Sequence, residues 1–509
     1  MPIDTRPAFR ERVLLWTASA LFLLAVFTLL ARPRPPATGG QTPARTVDVT
    51  ILQLNDVYEM FPVDGRGGLA RISTLRQRLE SKNPNTIAVL AGDLLSPSAL
   101  GEARVGGSRL AGRQMIDLMN RIGLKFAVFG NHEFDLKEAE LTARIAQSTF
   151  SWLGSNVDKV SSAEPFGGSV RDVVVPFHAP DGTEVRVGLF GLTIASTPTK
   201  PYVTYRPNVA TAQSEVASLK SRADVIIAVT HLSLAEDEEV ATMVPGIDVV
   251  IGGHEHQNIY ARRGAGLTPI AKADSNGRTV YVHHLRWDAT ARHVDVESRL
   301  TPITNALPDD ATAAKAAEDW RVQAFNAFEA DGFKPNEVVT TLTAELDGTE
   351  ASVRTKCTSL TQLIGQGMVS AAKGAVGAVY NSGSIRLDDI LRPGPLTQYD
   401  VMRVLPYPGK VVLVRIGGQV LKDALEKGQT LRNSGGYLQT FGIDARNLKP
   451  TSSYLIAMND FLAGGNEKGL EILGQDAART IVDKDVKEWR QATIAQFIAS
   501  PGGVPCPAP

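Results

Sequence analysis

Cysteine is nearly absent. The 509 residues hold only Cys357 and Cys506, and neither stands in a metal-type spacing. That argues against thiol catalysis or a cysteine-ligated metal as the basis of function. The two could pair in an exported chain and pin the C-terminal tail, or remain separate thiols. An excess of charge is also missing. Lys and Arg number 53 against 54 Asp and Glu, a net charge of −1. There is no global basic field to hold a nucleic-acid polymer, and none is expected as a partner. The chain has no blocks of like charge and no internal repeat. Its length and 43% hydrophobic content leave room for two to four domains.

Long hydrophobic runs are missing but for one. Residues 13–31, VLLWTASALFLLAVFTLLA, are free of charge, with Arg6, Arg10 and Arg12 before them and Arg32 and Arg34 after. About 20 apolar residues span a bilayer as a helix. The exit Leu30-Ala31-Arg32-Pro33 is a poor cleavage site. Residues 1–31 therefore read as an uncleaved signal anchor, with a cleaved signal peptide or a buried helix as alternatives. Upstream arginines favour a cytoplasmic N-terminus. The expected protein is membrane-anchored, with its catalytic part on the extracytoplasmic, periplasmic side. Residues 32–46 read as a linker.

From Val47 onward, short runs rich in Val, Ile, Leu and Phe alternate with helical stretches such as 70–81 and 135–147. Alternating β and α patterns predict packed layers around buried sheets. The expected divisions are a catalytic domain over 47–305, a connector helix over 306–336, a mixed α+β domain over 337–500, and a tail over 501–509.

Five blocks end such apolar runs, where an α/β sheet presents its site. They hold Asp56, Asp93, Asn131-His132-Glu133, His231 and His254-Glu255-His256, and so four of the eight histidines. Carboxylate, imidazole and amide oxygen suit hard or borderline divalent metals. A pair of ions needs a bridging ligand, and Asp93 after Gly92 is the candidate. His254 and His256 share a face if their strand continues through them, and so do Asp56 and Tyr58.

The blocks GD, GNHE and GGHEH, in this order, resemble the calcineurin-like metallophosphoesterases. Further pieces narrow the resemblance to the bacterial 5′-nucleotidase branch: Asn381-Ser382-Gly383-Ser384-Ile385-Arg386, Leu405-Pro406-Tyr407-Pro408-Gly409, Gly435-Gly436-Tyr437 and Asn459-Asp460-Phe461. The resemblance covers roughly residues 48–480. It implies a four-layer αββα sandwich followed by a smaller α+β C-terminal domain that binds substrate. It implies two divalent ions (Mn, Zn, Co or Fe), one held by Asp93, Asn131, His231 and His254, the other by Asp56, Asp93 and His256. It makes His132 the catalytic histidine, oriented by Asp135; an N-cap role for Asp135 is the structural alternative.

The implied activity is hydrolysis of phosphate monoesters, chiefly 5′-nucleotides or related nucleotide esters. Cyclic-nucleotide, nucleotide-sugar and non-nucleotide phosphate esters are the alternatives, and a non-catalytic sensor is the remote one. Two departures stand out. Tyr58 occupies the place of a family histidine. It reads as a contact to a metal-bound water, with ligation or packing as alternatives, because a phenol of pKa about 10 is a poor ligand for Zn or Mn. In the C-terminal domain Arg386 and Tyr437 are the expected substrate-binding residues. The run Gly464-Gly465-Asn466-Glu467-Lys468-Gly469 carries no second aromatic ring for stacking.

Overall fold

The strands that carry the five blocks lie in two six-stranded sheets. In this computed structural model, residues 45–196, 199–475 and 477–507 are described. The apolar run 13–31 lies outside them. Among the described residues, no helix is long and apolar enough to cross a membrane.

The first sheet contains Thr46–Leu54, Thr86–Ala91, Phe126–Val128, Ser151–Leu153, Thr279–Asp288 and His293–Pro302. The second contains Asp172–His178, Glu184–Thr193, Val225–His231, Val249–Gly252, Ile259–Arg263 and Thr268–Lys272. Thr46–Leu54 is parallel to Thr86–Ala91, and Val225–His231 to Val249–Gly252. Parallel pairing gathers the carboxyl ends of these strands at one edge, where the metal-type residues follow.

The strands are hydrophobic on both faces, as parallel strands covered on both sides must be. Val49, Ile51, Val89 and Val128 of one sheet meet Val187, Leu189, Ile227 and Ile251 of the other. Leu52, Leu54, Ala88 and Leu90 turn the other way, onto the helices Leu69–Lys82 and Arg113–Ile122. Phe190, Ile226, Ala228 and Val250 pack under Asn208–Leu219 and Leu234–Met243. The result is the four-layer αββα sandwich.

The connector is the helix Ala311–Ala330. Its sequence reads as polar, yet Ala316, Ala317, Ala324, Phe325 and Phe328 join the core of the first domain. Burying each phenylalanine is worth about 1.5–3 kcal/mol, so the helix is docked along its length.

The C-terminal domain is built on a five-stranded sheet in the order Leu438–Phe441, Gly377–Asn381, Ser453–Asn459, Lys410–Gly417, Arg479–Glu488. Its strands alternate by the two-residue period of β structure. Ala378, Tyr380, Val411 and Leu413 face the helices Ser359–Ala371 and Trp489–Ala499, while Val379, Val412 and Val414 face Gly418–Thr430. Cys357 and Cys506 form a disulfide with their Cα atoms 6.0 Å apart, which ties the tail to this domain.

Candidate metal centre and active site

The site is assembled at corners where the backbone leaves its strands. Asp56, Asp93, His254 and His256 all have positive φ, at 52°, 56°, 85° and 57°. Such conformations are uncommon outside glycine and gather at functional sites. The expectation that strands run on through these residues is corrected. The first strand ends at Leu54 and the GGHEH strand at Gly252, so left-handed turns, not pleats, aim Asp56, Tyr58, His254 and His256.

Backbone bonds fix the corners. The Asp56 N–H donates to the Gly92 carbonyl at 3.0 Å, and Val57 N–H to the Asp93 carbonyl at 2.9 Å. Gly92 permits a close approach: a Cβ there would lie 2.4 Å from His231 Nδ1. Gly130 is equally confined, since a Cβ would sit 2.0 Å from Asp93 Oδ1.

Glu133, whose role sequence reasoning left open, anchors the second and third blocks. Its buried carboxylate accepts from the N–H groups of Asp93, Leu94 and Leu95 at 3.0, 2.7 and 3.0 Å, and from Gly130. Burial, then the neighbouring Asp93, pushes its pKa up to about 7. Lys272 anchors the fifth block. It is buried, pairs with Asp237 at 2.9 Å and donates to the carbonyls of Leu232 and Gly253.

Asp56, Asp93 and His231 are buried, with one ligand atom of each lying within 4.8 Å of the others. His231 Nδ1 lies 2.8 Å from the Ala91 carbonyl. That bond needs a hydrogen on Nδ1 and turns Nε2 toward the cage. Asn131 Oδ1 is buried with no hydrogen-bond partner, and His231 Nε2 faces Asp93 Oδ2 at 3.3 Å. A buried polar atom is costly when unpaired, and Asn131 Oδ1 points to a cation in this cage. His254 stacks edge-on to His231, with ring centroids 5.2 Å apart.

Electrostatics favour a positive charge here. Burial alone would raise the Asp93 carboxyl, but the His231 and His132 imidazoles outweigh it and hold it well below the usual carboxylate range. Burial opposes charge on His231, yet Asp93 and Asp56 raise it to about 9. Burial and then the charge of His231 lower His254 to about 3. The donor set is thus oxygen and imidazole, gathered and oriented at one point, which fits divalent metal ions.

Tyr58 lies inside the cage. Its hydroxyl donates to Asp93 Oδ2 at 2.8 Å, and is 2.9 Å from His256 Nε2 and 3.4 Å from Asp56 Oδ1. Burial, then Asp93, raises its pKa well above 10.

His132 sits beside the cage. Its N–H donates to Asp93 Oδ1 at 2.9 Å, and its Nδ1 is 2.7 Å from Asp135 Oδ2. Asp135 caps no helix: the next one, Glu138–Gln147, has Lys137 at its N-cap. Burial would raise the Asp135 carboxyl, but His132 outweighs it and lowers it.

A cleft separates these groups from the C-terminal domain. Tyr58, His132 and His256 line one wall; Glu350, Arg386 and Asp388 line the other. Arg386 reaches across, its Nη1 3.4 Å from His132 Nε2. Tyr437 is not brought to this cleft wall. It is buried, and Arg432 lies 6.0 Å from its ring centroid. In the run Gly464 to Gly469, Glu467 accepts from Asn381 Nδ2 at 2.9 Å.

The αββα sandwich with this donor set at its strand ends defines a metal-dependent phosphoesterase. Residues 49–258 match the calcineurin-like phosphoesterase family, and residues 338–446 match the 5′-nucleotidase C-terminal domain. The chain thus carries a calcineurin-like phosphoesterase domain followed by a 5′-nucleotidase C-terminal domain. It is 26% identical over 475 residues to 5′-nucleotidase of Homo sapiens, covering 84% of this chain and 78% of that one. It is 26% identical over 456 residues to the trifunctional nucleotide phosphoesterase protein of Bacillus subtilis, covering 81% of this chain and 29% of that one. The fold is shared with the 5′-nucleotidase precursor of Thermus thermophilus, at a TM-score of 0.73 and 23% identity, covering 89% of this chain and 96% of that one.

Proposed function

We propose that the protein hydrolyses phosphate monoesters of nucleotides and releases phosphate. One observation carries this reading: the oxygen–imidazole cage and the His132–Asp135 pair open into the same cleft, opposite Arg386. The relatives named 5′-nucleotidase support the substrate class.

In this reading Asp93, Asn131, His231 and His254 hold one cation, and Asp56, Asp93 and His256 hold the other. When bound, the two ions supply Lewis acidity at the phosphoryl oxygens and lower the pKa of a water. The side chains do the rest. Asp135 accepts the Nδ1 hydrogen of His132, so Nε2 is the atom that holds a proton for the leaving oxygen. Arg386 adds positive charge where phosphoryl oxygens gather. Asp93 Oδ1 receives the His132 N–H, which ties the proton carrier to the cage.

A second reading, a phosphate ester without a nucleobase, is favoured by Glu467 at Asn381 and by the buried ring of Tyr437. The two separate on kcat/KM. Phosphate release by the full chain with Mn(II) is compared between 5′-nucleotides and phenyl phosphate. A clear preference for nucleotides upholds the first reading; equal or reversed preference replaces it with the second.

We further propose that the catalytic unit works outside the cytoplasm, tethered by residues 13–31. The disulfide between Cys357 and Cys506 supports an oxidising compartment. Protease added to intact cells should remove the catalytic unit; complete protection would contradict the proposal.

A further inference from the structure

We infer that Asp388, in the C-terminal domain, is a positioning residue for the metal cage, and that it links cation binding to docking of that domain. The inference rests on the two-cation reading above.

The carboxylate of Asp388 is fully engaged. Oδ2 lies 2.5 Å from His256 Nδ1. Oδ1 accepts the backbone N–H of Glu350 at 2.7 Å. One oxygen is therefore anchored in its own domain while the other reaches into the first. Both ends of the His256–Asp388 contact are held in left-handed backbone, φ 43° at Asp388 and 57° at His256. Aspartate adopts that region more readily than bulkier residues, but it is uncommon and persists where the surroundings fix it.

A histidine that gives its Nδ1 hydrogen to a carboxylate presents its Nε2 lone pair to a metal in a set orientation. His256 Nε2 faces Asp56 Oδ1 at 3.4 Å. His231 is oriented differently: the Ala91 carbonyl that fixes it belongs to the first domain. The two halves of the cage thus differ in origin. The half around His231 is set by the first domain alone. The half around Asp56 and His256, already reduced by Tyr58, takes its orienting group from the C-terminal domain.

Docking has its own supports around this contact. Arg403 pairs with Glu59 at 3.0 Å and Arg392 with Asp64 at 3.3 Å, and Arg278 pairs with Asp389, the neighbour of Asp388. If docking orients His256, then a cation on His256 favours docking by the same factor, because linkage is reciprocal.

The test titrates the full chain with Mn(II), measures bound metal by equilibrium dialysis, and follows docking by the radius of gyration in solution scattering. In the wild type, two classes of Mn(II) site are expected, and filling the weaker one narrows the distribution of radii. Asp388→Ala should loosen the weaker class at least tenfold, leave the tighter class unchanged and remove the scattering response. Asp388→Asn, which keeps an acceptor oxygen and similar volume, should recover part of the affinity. Unchanged Mn(II) binding in both variants would overturn the inference. So would equal loosening of both classes. A wild-type chain that binds no Mn(II) would instead overturn the two-cation reading beneath it.

Discussion

His132 and Arg386 meet across the domain boundary, Nη1 to Nε2 at 3.4 Å, although 254 residues separate them in sequence. One belongs to the layer that builds the cage and the other to the domain that faces it. Their approach gives the cleft a proton carrier and a fixed positive charge at one point. The guanidinium also lies 5.9 Å from the ring centroid of Tyr407, whose hydroxyl is 3.4 Å from Asp135.

The proton carrier can be removed without disturbing the cage. His132→Ala should lower kcat by about 10²–10⁴, the usual contribution of a general acid. Bound Mn(II) should be unchanged, because the backbone N–H that meets Asp93 remains. Asp135→Asn should cost less than His132→Ala. Steady-state kinetics and metal content on the same samples check both.

The cage can be broken without touching a ligand. A methyl group at Gly92 would lie 2.4 Å from His231 Nδ1, and the position has φ 80°. Gly92→Ala should displace His231 and remove most bound metal while the protein stays folded. Elemental analysis and circular dichroism read the two outcomes.

The Tyr58 hydroxyl donates to Asp93 at 2.8 Å. In the metal-free protein, Tyr58→Phe should lower stability by about 1.5–3 kcal/mol, the worth of a hydrogen bond to a charged group, while Asp93 Oδ2 keeps His231 Nε2 at 3.3 Å. Tyr58→His should tighten the weaker class of Mn(II) site. Urea unfolding and Mn(II) titration check these in turn.

Glu215 offers a pH dependence far from the cage. Burial, then the adjacent Asp172, raises its pKa from 4.5 to about 7. The folded state therefore prefers the proton. The stability this allows is present below the unfolded value of 4.5 and is lost as pH rises through about 7. Glu215→Gln should stabilise the protein by about 1–3 kcal/mol at pH 8 and by much less at pH 5. Urea unfolding at both pH values measures the difference.

Much of the site is legible in the sequence, for a physical reason. Asp93 and His231 end or closely follow apolar strands, and parallel pairing brings such ends to one edge whatever lies between them. The GNHE turn is local, so Glu133 and His132 come with it. Other features carry no local pattern. Asp388 contacts His256 across 132 positions, and an acidic pair after Ile385-Arg386-Leu387 reads as any solvated turn. The direction of Tyr58 depends on the left-handed turn at Asp56, which no two-residue periodicity reveals. The connector helix reads as polar because its buried face is made largely of alanine, with Phe325 and Phe328 near its end. The place of Tyr437 carries no local pattern either: its motif suggests a stacking platform, and in the fold the residue is buried with Arg432 6.0 Å from its ring centroid.

Phosphate release from 5′-nucleotides by the full chain, metal-stripped and then reloaded with Mn(II), tests the central claim most directly. The account predicts no turnover when stripped, multiple turnovers when reloaded, and loss of that turnover in His132→Ala. Turnover that survives stripping, or a chain with two Mn(II) bound that cleaves no phosphate ester, would contradict it.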